Sequence, residues 1–151
     1  MKNYSLNYSL AGPSFMGAPV QWTQVTPYAE ARDWFVDAIR YVGEIGKLQA
    51  NWDTYGSPAV TRLAKEQAIR ILLQLSRHAL PEPQVGPVSG GGVQFEWNIG
   101  PRSLELEVLP DGRIEFLRMY EDDRMQEGQL GLHPNEYLRE QVNWLVQHPA
   151  A

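Results

Sequence analysis

The sequence predicts an α+β fold, an antiparallel sheet with helices packed on one face, and three observations carry that prediction. Residues 93–118, VQFEWNIGPRSLELEVLPDGRIEFLR, alternate apolar and polar side chains in three runs separated by turn formers, the signature of a half-buried meander. Three other stretches carry apolar residues at helical spacing behind Thr26-Pro27, Ser57-Pro58 and Pro134. The opening NYSLNYSL alternates strictly as well. An antiparallel sheet of this kind commonly seats helices on one face and leaves the other wet.

The N-terminal alternation sets Tyr4, Leu6, Tyr8 and Leu10 on one side of a strand, and residues 19–25 supply a second strand after a Gly/Pro-rich loop. Residues 1–25 therefore read as a β-hairpin extension, and 26–151 as a single α+β domain. An apolar strand face with almost no charge nearby templates pairing with another chain unless it is covered. These four residues are expected at an interface, in a homo-oligomer or against a partner.

Thr26-Pro27 is a helix start, with threonine capping and proline preset in φ at the first helical position. Trp34, Phe35, Ala38, Ile39, Val42 and Ile45 form its apolar stripe, to about Leu48. Ser57-Pro58 gives the same signal for a second helix, striped by Val60, Leu63, Ala64, Ala68, Ile71, Leu72 and Leu75. PEPQVGPVSGGG then reads as a loop whose glycines permit positive φ or close backbone approach. It lacks the lysine-serine or lysine-threonine pair of a phosphate loop. After the meander, EDDRMQEGQLG reads as a charged turn, and Pro134 opens a last helix with Leu138, Val142 and Leu145 on one side.

A chain of 151 residues can bury about 68–70% of its unfolded surface as one domain. It has no cysteine, which rules out thiolate metal sites and a cysteine nucleophile and suits a reducing, cytoplasmic setting. No apolar run is long enough for a membrane span and the start has no signal-peptide pattern, so a soluble protein is expected. Thirteen basic against eighteen acidic residues, a net charge of −5, disfavours nucleic acid as a partner.

The turn Leu109-Pro110-Asp111-Gly112-Arg113 suits proline at its first corner and a left-handed glycine. Pairing outward from it sets Glu107 opposite Glu115 and Leu106 opposite Phe116, and matching faces sets Glu96 opposite Glu105. Val93, Phe95, Trp97, Leu104, Leu106, Val108, Ile114 and Phe116 then share the core face. Glu96, Glu105, Glu107 and Glu115 share the other. Opposed side chains sit about 4.5–5.5 Å apart, so these carboxylates repel. Three counterweights fit: Arg102, Arg113 and Arg118 of the same sheet, a basic protein partner, or a hard divalent cation. His78, His133 and His148 are single and form no paired ligand motif, and no serine sits in a nucleophile elbow.

Asn51-Trp52-Asp53-Thr54-Tyr55-Gly56-Ser57-Pro58 joins the first two helices. Asp53 can bond backbone amides, Gly56 can go left-handed, and Trp52 and Tyr55 can plug the gap between helices and sheet; the same residues could line a ligand corner. Trp52, Asp53, Tyr55, Gly56, Gly91, Gly92, Glu96 and Trp97, followed by LELEV and DGRI, resemble a family of small, functionally uncharacterised bacterial proteins over residues 30 to 118. The resemblance implies a bacterial or phage origin and one compact domain, and carries no activity.

The expected function is a non-enzymatic interaction module, an accessory, inhibitor or antitoxin-like partner of another protein. It would bind through the acidic sheet face or the N-terminal hairpin, with no cofactor. The alternatives are a metal-dependent hydrolase or nuclease using Glu96, Glu105 and Glu107 with Asp53, and a small-ligand domain using Trp52, Asp53 and Tyr55 beside the glycine run.

Overall fold

The computed structural model describes residues 27–133 and 135–147. The elements run α1 (Pro27–Ile45), α2 (Arg62–Leu75), β1 (Gln84–Val88), β2 (Gly92–Ile99), β3 (Arg102–Val108), β4 (Ile114–Tyr120), β5 (Met125–Gly131) and α3 (Asn135–Val146). The strands form one antiparallel sheet in sequential order, β1-β2-β3-β4-β5, and the α+β class holds. The expected hairpin with Tyr4, Leu6, Tyr8 and Leu10 lies outside the described residues, as do Thr26, Pro134 and His148.

The meander has the register its turn dictates. Gly112 takes φ +85°, the Leu109 amide donates to the Arg113 carbonyl at 2.8 Å and the Gly112 amide to the Leu109 carbonyl at 2.8 Å. Val108 therefore faces Ile114, Glu107 faces Glu115 and Leu106 faces Phe116, while Glu96 faces Glu105 and Trp97 faces Leu104. Val93, Phe95, Trp97, Leu104, Leu106, Val108 and Ile114 are buried in one cluster with Ala38 and Val42 of α1, Ile71 and Leu72 of α2, and Leu138 and Val142 of α3. Phe116 is only half-buried, because its ring lies beside Gly128 on the outer strand, where a Cβ would come within 2.6 Å of it.

Three sequence expectations are corrected. The segment read as a loop contains β1, which pairs Val85 with Phe95 and Pro87 with Val93; a proline is tolerated there because β1 is an edge strand. The segment read as a charged turn contains β5, paired to β4 through Leu117–Glu127 and Met119–Met125. The second helix starts at Arg62, not at Ser57-Pro58, because Thr61 is its cap: the Thr61 Oγ1 accepts from the Ala64 amide at 3.1 Å and donates to the Pro110 carbonyl at 2.6 Å. Leu63 consequently points outward, 53% exposed.

Two tryptophans fasten the strap between α2 and β1. The Trp34 indole donates to the Leu80 carbonyl at 3.0 Å and the Trp97 indole to the Pro81 carbonyl at 3.0 Å. At the other end of the sheet, Arg102 donates to the Trp144 and Gln147 carbonyls at the end of α3, and the Trp144 indole donates to the Tyr120 hydroxyl at 3.1 Å. No helix of the described residues is long and apolar enough to cross a membrane.

Candidate functional site

All three helices contribute to the core on one side of the sheet, and among the described residues no element covers the other. There the register lays out a grid. Gln94, Glu107, Glu115 and Gln129 cross four strands in one row; Glu96, Glu105, Leu117 and Glu127 form the next; Asn98, Ser103, Met119 and Met125 form the third. Four of these glutamates are the ones expected on this face. Glu127 was missed with β5, although the sequence held a clue: Asp122-Asp123-Arg124 repeats the Asp-x-Arg pattern of the β3–β4 turn, Asp111-Gly112-Arg113. In both turns the aspartate accepts from the arginine's Nε, at 2.7 Å for Asp111–Arg113 and 2.6 Å for Asp122–Arg124.

The arginines expected to neutralise this face do not. Arg113 pairs with Asp111 in its turn. Arg118 lies on the core side, buried, donating to the Gln141 Oε1 at 2.7 Å and pairing with Glu140 at 3.3 Å. Arg102 holds the end of α3. Strand alternation explains two of them, since Arg102 and Arg118 share parity with Leu104 and Leu106, and Arg113, in the turn, is claimed by the nearer aspartate. Among the described residues no ion pair reaches Glu96, Glu105, Glu107, Glu115 or Glu127. Two of the five accept from neutral amides: Asn98 donates to Glu96 at 2.9 Å and Gln129 to Glu115 at 3.0 Å.

Two like-charged pairs, Glu96–Glu105 and Glu107–Glu115, are thus directly opposed. Partial burial, then the charges of Glu96 and Glu107, push the Glu105 carboxyl above its ordinary range. Partial burial and the Glu115 charge do the same to Glu107. A folded-state pKa above the unfolded one gives stability that is fully present below the unfolded value and lost as pH rises through the folded value. Glu105→Gln and Glu107→Gln should therefore each stabilise the fold at pH 7, by about 0.2–1 kcal/mol, the range for cross-strand pairs, with solvent screening holding the gain down. The gain should vanish below about pH 4, where the unfolded glutamates are protonated too. Urea melts at the two pH values check this; a loss of stability at pH 7 would reveal a cation balancing the face.

The Trp52 corner is built as a self-contained knot. Asn51, Thr54 and Gly56 take φ of +66°, +66° and +88°. Asp53 accepts from the Tyr55 amide at 3.0 Å, the Ser57 amide at 3.2 Å and the Ser57 hydroxyl at 2.5 Å, and these bonds, the hydroxyl's foremost, lower its pKa. The Trp52 indole donates to the Pro58 carbonyl at 3.1 Å. Tyr55 does not plug the helix–sheet gap as expected; it is 91% exposed. The corner closes directly on the glycine run, through Ser57 and Ser89 hydroxyls 2.8 Å apart and the Thr61 amide on the Gly91 carbonyl at 3.1 Å. Gly91 takes φ +95°, and a Cβ there would come within 2.9 Å of the Ala59 carbonyl oxygen.

Asp53 is thus engaged by its own loop, and the set Glu96, Glu105, Glu107 and Asp53 is not assembled as a cage: among the described residues no three His, Asp or Glu side chains are placed to hold a metal ion. Glu105, Glu107, Glu115, Leu117, Glu127 and Gln129 line a shallow depression of about 340 Å³ on the uncovered face. Compared with protein-family models, curated proteins and solved structures, the chain finds no match.

Proposed function

We infer that the protein is a non-enzymatic interaction module, an accessory or inhibitory partner of another bacterial or phage protein in the cytoplasm, and that it binds through the acidic face of its sheet. The observation carrying this reading is the pair of opposed, uncompensated glutamate couples on a face that the described residues leave uncovered. The fold does not need them. Glutamine, threonine or lysine at the same positions would satisfy the same strands at lower electrostatic cost, and such violations of local consistency are expected at functional surfaces. A basic partner supplies the missing charge, steering encounter and fixing orientation.

The test is affinity capture from bacterial lysate with the wild-type chain and with a Glu105→Lys/Glu115→Lys double variant, both substitutions lying on half-buried surface positions. Proteins identified by mass spectrometry with the wild-type bait should be depleted about tenfold or more on the charge-reversed one, equivalent to about 1.4 kcal/mol. Identical captures by the two baits would rule the acidic face out as the docking surface.

A further inference from the structure

We propose that Leu117, Met119 and Met125, with the glutamates around them, seat a cationic amphipathic helix of the partner. This narrows the interaction reading and rests on it. Leu117 and Met119 alternate along the face of β4 that the described residues leave uncovered, and Met125 faces Met119 from β5, 69% exposed. The strip spans two strands about 4.8 Å apart, a width that one helix of about 10–12 Å diameter covers. The same pleat already seats three helices on its other side. Methionine suits such a seat because its flexible, polarizable side chain adapts to an incoming apolar surface.

Charge sets the partner's chemistry. Glu105 flanks Leu117 on β3, Glu127 flanks it on β5, and Glu115 precedes it on β4. Any apolar body pressed onto the strip also desolvates these carboxylates, which is unfavourable unless cations meet them. A helix with an apolar stripe bordered by lysine or arginine satisfies both demands, the helix-in-groove mode of recognition. A second copy offering the same face would set five glutamates against five.

The experiment titrates the full chain with three labelled synthetic peptides of about 18 residues, long enough to form helix, followed by fluorescence anisotropy. One has a leucine stripe bordered by Lys/Arg, the second the same composition scrambled, and the third the same stripe bordered by Glu. The first should bind saturably and at least about tenfold tighter than either control. Leu117→Ser should weaken it about tenfold, and Glu105→Gln should weaken it and flatten its salt dependence. Equal binding of the striped and scrambled cationic peptides, unaffected by Leu117→Ser, overturns the helix seat and leaves a plain acidic docking face. Absence of peptide binding, while charge reversal still removes the captured partner, overturns it too. A dimer in sedimentation equilibrium that Leu117→Ser dissolves would make the occupant a second copy instead.

Discussion

Trp97→Ala should destabilise the protein by about 3–5 kcal/mol, the usual cost of emptying a buried aromatic site, out of a total that for domains is about 5–15 kcal/mol. Trp97 is 2% exposed and lies beside Phe95, ring centroids 6.2 Å apart. Its indole also anchors the strap through the Pro81 carbonyl, so truncation opens a cavity and frees the link between α2 and β1 together. Trp97→Phe separates the two effects: it keeps most of the volume and loses the hydrogen bond, for a cost of about 0.5–1.5 kcal/mol. Chemical denaturation of the three proteins measures both steps. If Trp97→Ala costs less than Trp97→Phe, cavity formation is not what the indole prevents. Binding at the acidic face should be untouched in whichever variant stays folded, because neighbouring Glu96 points the opposite way from Trp97 on the same strand.

The central hairpin was legible because its chemistry is local. Pro110, Asp111 and Gly112 define a turn, the turn defines a register, and period-2 alternation carries that register across β2, β3 and β4 to place four glutamates on one face. The two edge strands were illegible for the opposite reason. β1 carries Gly86 and Pro87, and β5 has three polar residues and two glycines among its seven, because an edge strand uses only one side of its backbone for pairing and the described residues leave one face of this sheet uncovered. Propensity therefore says loop where neighbouring strands impose pairing. The helix start at Ser57-Pro58 was mistaken because serine before proline marks a cap in general, whereas here Ser57 is held by Asp53 and Ser89. The balance of charge on the acidic face could not be read either. Alternation alone puts Arg118 on the core side, yet its partner Gln141 lies 23 residues away on another element.

That remote pairing supports the second large effect: Arg118→Ala should cost about 2–4 kcal/mol. The Arg118 side chain is 8% exposed and its ion-pair partner Glu140 is 64% exposed, so the salt bridge itself contributes little. The cost comes from two other sources. Gln141 is 2% exposed, and its Oε1 would lose its donor inside the core, a penalty of about 1–3 kcal/mol. The guanidinium also lies over the Trp144 ring at 5.0 Å and the Phe116 ring at 5.5 Å, contacts worth about 0.5–2 kcal/mol when desolvated. Arg118→Met refills the volume yet leaves Gln141 orphaned, so it should recover only part of the loss. Adding Gln141→Leu removes the orphan and should restore most of the rest, since a buried polar pair replaced by apolar groups of similar shape is often near neutral. The double-mutant cycle, followed by thermal melts at a scale of about 2–4 °C per kcal/mol, isolates the coupling between the two residues. A single Arg118→Met protein as stable as the wild type would mean that the Arg118–Gln141 bond does not hold α3 to the sheet.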